Sequence, residues 1–398
     1  MSESAPAHNL QCVEAATGLF HLMMAVLALL FKTHYGELDK DIASLVVWLD
    51  ELDRDIPRMW NGQKSLVKDF RAAQDFFDTT LDAYIISAMA RYYFPNQDHI
   101  EQFATALPAF SEDKITQMIN NLAKALSDFN KVGKMRSREQ RDPVHENVIL
   151  FLQHGLIFRN CHLAMRLGDI GRVENSLMYF TPWFQGSGKH NYASETLRLV
   201  ACLKKIWSGP FKTFWRENAL VNLSGKREGF IACDMLNEYV VREIKEMMHP
   251  NITPSGDEFL RNKLSLVVMT FKSLRKRMSE LLQINTMDFH SSRVNPWKDV
   301  EVIVNKVLAG DIASMWVDRD GERRWTVVAD LYTRGMDELS MGQGIEKLKA
   351  SILDERRGDV GEEAGVDPEA VFDDEDRGGG EGDVFGSVDI LNDPEWVT

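Results

Sequence analysis

Gly18 to Phe31 (GLFHLMMAVLALLF) is a run of fourteen residues whose one plainly polar side chain is His21. A bilayer-spanning helix needs about 20 apolar residues, so this run is too short for that role. It is also too apolar for a surface. It predicts a helix buried on nearly every side, which requires other helices to surround it. The preceding residues, MSESAPAHNLQ, contain neither Lys nor Arg, so the positive start of a secretion signal is missing. Cys12, Cys161, Cys202 and Cys233 stand singly with no CxxC pair, in a 398-residue chain large enough to fold without disulfide staples. Together these features predict an intracellular protein, nuclear or cytoplasmic, with no membrane partner.

Helical spacing continues along the chain. Leu45, Trp48, Leu49 and Leu52 recur at intervals of three and four, and Phe70, Phe76, Phe77, Leu81, Tyr84, Ile85, Met89 and Tyr92 mark a long helix that Pro95 should stop. Ser111 is placed to cap a helix through Ile115, Met118, Ile119, Leu122 and Leu126. Further helices are expected over Val144–Leu167, Asn191–Trp207, Pro210–Leu223, Cys233–Met248 and Asp257–Leu282. Strand-like alternation is confined to Glu301–Val307 and Trp325–Leu331, and either stretch suits a short helix as well. The expected fold is mainly α, with few or no strands. It comprises a disordered start at 1–11, a first helical half at 12–130, a basic linker at 131–142, a second helical half at 143–352 and a disordered tail at 353–398.

The formal net charge is −14, which looks unfavourable for binding nucleic acid. Its distribution removes that objection. Asp354 to Thr398 holds 16 acidic and 3 basic residues, a local charge of −13, leaving 43 basic against 44 acidic residues in the body. Two basic stretches stand out in that neutral body. Lys131, Lys134, Arg136, Arg138 and Arg141 lie in the linker, while Lys272, Arg275, Lys276 and Arg277 share a helix with Leu266, Val267, Phe271, Leu274 and Met278. Both are candidate phosphate contacts, and both are also what an ordinary solvated face looks like.

Polar residues are densest from His154 to Glu195. His154 and His162 are eight residues apart, about 12 Å along a helix, too far to share one metal ion. Asp169, Glu174 and Glu195 are candidate carboxylate ligands for divalent-metal phosphoryl transfer, should the fold bring them together. The plainer reading is that Asp169 and Gly171 form a turn between helices, with Glu174 in the first turn of the next one. GSGK at Gly186–Lys189 lacks the upstream glycine and following hydroxyl of a phosphate loop, since Trp183 and His190 occupy those places. It reads as a loop before a helix near Asn191, whose first-turn Glu195 answers the helix dipole. No GxSxG elbow is present.

The strings GLFHLMM, HGLIFRNC, GDIGRVENSL, GSGKHNYASETL, ALVNLSG and DMLNEYVVREIK together resemble a fungal family, domain of unknown function 6589, from Gly18 to about Leu282. Among the matching positions are His21, His154, Arg159, Asp169, Arg172, Asn191, Tyr192, Glu195, Asn222, Asp234 and Glu238. The resemblance implies an association with transposable elements, whose full-length members carry an additional transposase-like region upstream. Beginning almost at the GLFH helix, this chain resembles an N-terminally truncated member with an incomplete catalytic triad.

The expected function is therefore a non-catalytic, transposon-derived protein that binds nucleic acid or protein, with no cofactor evident. One alternative is a nuclease-like or transposase-like enzyme using a divalent metal on carboxylates around Asp169 to Glu195. Another is a purely structural interaction protein.

Overall fold

The computed structural model of the chain describes residues 16–54, 60–61, 66–67, 69–93, 101, 105, 107–127, 141–247, 270, 273–274, 277, 296–312, 314, 316 and 326–341. The described architecture is mainly α, as expected. Its first helix, α1 (Leu19–His34), buries twelve of its sixteen residues and sits inside the body. Gly18 offers no side chain to cap it. The cap comes instead from Asp234, whose carboxylate accepts the N–H groups of Phe20 and His21, each at 3.1 Å.

Helices α2 (Leu45–Glu51), α3 (Phe70–Tyr93) and α4 (Glu112–Ser127) complete the first part of the chain. Pairs β1 (Trp60–Asn61) and β2 (Leu66–Val67) form a short antiparallel ladder before α3. Ser111 caps α4 through the Lys114 N–H, as its position predicts. Helix α5 (Pro143–Arg166) starts on Asp142, which accepts the N–H groups of Val144 and His145. By length and composition α5 could cross a bilayer, but 61% of its apolar stretch is buried inside the protein. It is a core helix, meeting α1, α3 and α6.

Gly168, at φ +71°, reverses the chain after α5, and Asp169 then caps α6 (Ile170–Gly186) by accepting the Arg172 N–H. The turn is thus built by Gly168 and Asp169, while Gly171 already belongs to α6. Helix α7 (His190–Ala201) runs into one π-helical turn, Cys202–Ile206. A helix over Pro210–Leu223 is only partly realised. Ser208 caps α8 (Gly209–Asn218), after which Leu220–Val221 (β3) pairs with Ile231–Ala232 (β4) across a turn shaped by Asn222. There the Asn222 carbonyl accepts the Gly225 N–H and its amide donates to the Lys226 carbonyl, so side-chain bonds replace the helical ones.

Helix α9 (Cys233–Met247) brings Asp234 to α1. Glu301–Val307 is helical, inside α10 (Pro296–Ala309), whose buried Val300, Ile303, Val304 and Val307 pack on α3. Its apolar positions fit a period of 3.6 as well as one of 2, and burial on one face selected the helix. Thr326–Asp330 is non-helical and belongs to no ladder, and α11 (Leu331–Met341) follows it against α6. Most of Asp257–Leu282, of the 131–142 linker and the whole of 353–398 lie outside the described residues. One continuous apolar cluster runs from Leu19 to Leu331, drawing on residues from both sides of the linker. Phe31, Phe77, Tyr84, Phe151 and Phe158 form its aromatic centre.

Candidate functional site

The three candidate metal carboxylates are held by different partners. Asp169 is consumed as the α6 cap. Glu174 is buried and takes a two-pronged ion pair from Arg216 of α8, at 2.6 and 2.8 Å. Glu195 lies beyond the first turn of α7, contrary to expectation, and accepts a hydrogen bond from the Thr17 hydroxyl. Among the described residues, no group of three or more His, Cys, Asp or Glu side chains is arranged to hold a metal ion.

The remaining polar residues of this region pair across helices. His154 is buried on α5, and its Nδ1 lies 2.9 Å from Nε2 of buried His34 on α1. Trp183 packs edge-on against His154 and Phe151 against His34. Burial holds the His154 pKa down at about 4, and burial with the His154 neighbour holds His34 well below the usual imidazole range. Both rings are therefore neutral near pH 7, one donating to the other. His162 meets the Gln74 amide of α3, and burial, then Arg166 and Arg159, bring its pKa to about 4. Arg159 bridges Asp78 and Asp82 of α3, and Arg172 donates to Asn160.

His21, Asp234 and Glu238, scattered in sequence, meet at the α1–α9 junction. His21 Nδ1 lies 2.9 Å from Asp234 and Nε2 lies 3.6 Å from Glu238. The Asp234 bond raises the His21 pKa. Burial pushes the Asp234 pKa up, but the bonds from His21 and Phe20 outweigh it and leave it lowered. Asn191 is exposed, and Tyr192 stacks on Phe184 with ring centres 5.2 Å apart.

Of the candidate phosphate contacts, Lys131, Lys134, Arg136, Arg138, Lys272, Arg275 and Lys276 lie outside the described residues. Arg141 is committed to Glu146 through a two-pronged ion pair, and Arg277 is exposed. A third set of basic residues, which neither basic run in the sequence points to, falls between those runs along the chain. Residues 187–230 contain eight Lys or Arg against three Glu. Lys204 and Lys205 project from the π-helical turn, whose Cys202 and Leu203 are buried. Lys204, Lys205, Lys212 and Arg227 form no ion pair with any described residue.

An aromatic series accompanies these cations. Trp215, 9% exposed, packs on Trp207, which meets Phe211 at 5.0 Å, and Phe211 meets Phe214 at 6.2 Å. The series climbs from the core to Phe214, which is 60% exposed. The sequence carried the signal as lysines interleaved with aromatics. It was hidden because the amphipathic pattern of α8 accounts for each aromatic as core.

The sequence matches the family of unknown function DUF6589 over residues 1–288, well over half of the chain. The chain belongs to that family. No curated protein and no solved structure matches it. The DUF6589 portion therefore contains His34, His154, the His21–Asp234–Glu238 junction, the Lys204, Lys205, Lys212 and Arg227 cations and the aromatic series. Helices α10 and α11 lie beyond it. Two clefts border the non-helical stretch before α11 in this DUF6589 protein. One, of about 400 Å³, is lined by Lys32, His34, Asp41, Asn147 and Arg334, and the other, of about 810 Å³, by Arg141, Gln185, Asp330 and Glu338.

Proposed function

We propose that this DUF6589 protein is a non-catalytic nucleic-acid-binding protein that grips the phosphate backbone with Lys204, Lys205, Lys212 and Arg227. Phe214 offers a stacking surface for a base. The observation that carries this reading is a set of cations with no ion pair among the described residues, interleaved in sequence with an aromatic series that ends in solvent. Cations already committed to acids would have to break those bonds before meeting phosphate, whereas these four need not. Exposed aromatic faces flanked by cations suit single strands, since every base presents a face to stack on. The carboxylate-enzyme reading draws no comparable support, because Asp169, Glu174 and Glu195 serve separate partners. Descent of the body from a fungal mobile element is part of the same proposal, supported by the order and spacing of the six family strings.

The test is fluorescence anisotropy of the full chain with a labelled single-stranded oligonucleotide across a salt series. Four phosphate contacts predict a slope of about −3 in log affinity against log salt for a single strand. Changing Lys204 and Lys205 to Glu should flatten that slope and weaken binding. Phe214→Ala should weaken binding with little change in slope. Absence of binding at low salt would refute the proposal.

A further inference from the structure

Residues 326–330 are held by side chains reading their main chain. The Thr326 N–H donates to Asp41 Oδ1 at 3.0 Å, the Thr326 carbonyl accepts Asn147 Nδ2 at 2.7 Å, and the Val328 N–H donates to Asn147 Oδ1 at 2.9 Å. An extended chain turns this alternate set of groups to one side, so the pattern marks an extended segment docked on α5. Its side chains matter little to the grip, since Thr326, Val327 and Ala329 are exposed.

Immediately after it, α11 seats its buried first residue, Leu331, and buried Gly335 against the end of α6. A Cβ on Gly335 would run into the Pro182 carbonyl, and one on Gly186 into the Leu331 carbonyl. That crossing demands glycine on both helices. Open clefts border the extended residues, both lined by Val327, Val328 and Ala329, so the segment lies in its groove without being sealed there. Asp41, Asn147, Pro182 and Gly186 all fall within the DUF6589 match at 1–288, while the segment they hold falls outside it.

We propose that Asp41, Asn147 and the Pro182–Gly186 end of α6 form a docking groove for a segment of a partner protein, held here in cis by residues 326–341. The segment that fits is extended, then helical, with a large aliphatic residue at the first helical position and glycine four residues later. Main-chain hydrogen bonds supply grip without demanding particular side chains, and the Leu331 and Gly335 positions supply selectivity. The cis segment lowers the apparent affinity for an outside segment by the fraction of time it leaves the groove open.

The probe for this groove is a labelled peptide of the chain's own residues 326–341, titrated against the full chain. In the chain, Val328→Pro removes the N–H that Asn147 reads, and separately Gly335→Leu blocks the helix crossing. Either released chain should bind the probe at least about tenfold tighter than wild type, and adding Asn147→Ala to Val328→Pro should cost about tenfold again. Circular dichroism establishes that each variant keeps its helix content, and Val328→Pro carries the test should Gly335→Leu not fold. Released, folded chains that bind no more probe than wild type would overturn the proposal, as would binding indifferent to Asn147. Light scattering that shows released chains pairing by exchange of 326–341 would replace the partner protein with a second copy.

Discussion

The buried His34–His154 pair makes this protein lose stability as pH falls through and below the ordinary imidazole range. In the unfolded chain a histidine ionises near pH 6.5, whereas burial holds His154 at about 4 in the folded protein. The unfolded state therefore takes up the proton first as pH falls. Stability contributed by the neutral ring is present above the unfolded value and is lost on the way down through the folded one. Between about pH 7.5 and about pH 5, a shift of this size removes roughly 2 kcal/mol for His154 alone. His34, lowered in the same direction by burial and by His154, adds to the loss. His21 works the other way, since its raised pKa contributes stability that is lost as pH rises. Comparing wild type with His154→Gln cancels that opposing contribution. Urea unfolding followed by far-ultraviolet circular dichroism at both pH values is the assay. The wild type should lose about 2 kcal/mol more than the variant on acidification. Equal losses would refute the claim that a buried neutral imidazole sits at position 154.

Three further outcomes are expected. Asp234→Ala should lower stability by about 1 kcal/mol or more, because α1 loses both N-terminal hydrogen bonds, and should return the His21 titration towards its ordinary value by NMR. Gly186→Ala places a methyl group against the Leu331 carbonyl and should cost about 1–3 kcal/mol in chemical denaturation; an unchanged midpoint would contradict the close α6–α11 crossing. Deleting the chain after Ile352 removes a net charge of −13 counted from Asp354 and should tighten oligonucleotide binding at low salt, with the gain shrinking as salt rises.

The fold was legible where one period dominated. The α1 run, the Phe70–Tyr93 stripe and the Val144–Leu167 series each matched a helix within a few residues, because an apolar face repeated at 3.6 residues has few other ways to be buried. Legibility failed where side chains stood in for backbone partners. Beyond Asn218 the expected Pro210–Leu223 helix gives way to the β3–β4 pair across a turn held by Asn222, and the non-helical Thr326–Asp330 has its partners, Asp41 and Asn147, on distant elements. The Asp41 and Asn147 partnership has no local signature. The α1 cap is the extreme case, supplied by Asp234 from 213 residues further along the chain.

The candidate site failed to read from sequence for a different reason, and that reason also directs the functional proposal. In a body of helix packed on helix, a polar group at an interface must find a partner or bear its desolvation cost. The dense polar stretch from His154 to Glu195 meets that demand: His154 with His34, Arg159 with Asp78 and Asp82, His162 with Gln74, Glu174 with Arg216. Density of polar residues there measures how many helix interfaces α5 and α6 take part in, not how much chemistry they carry. A binding surface has the opposite character, since its charges must remain uncommitted until the ligand arrives. By that criterion Lys204, Lys205, Lys212 and Arg227 qualify, and Arg141 and Glu174 do not. The π-helical turn is consistent with the proposed binding, because it buries Cys202 and Leu203 while leaving both adjacent lysines in solvent. Restoring regular α-helix there, by deleting one residue of the turn, should rotate Lys204 and Lys205 relative to Lys212 and weaken oligonucleotide binding while leaving the His34–His154 core intact. Unchanged binding in such a variant would show that the three lysines do not act together on one strand.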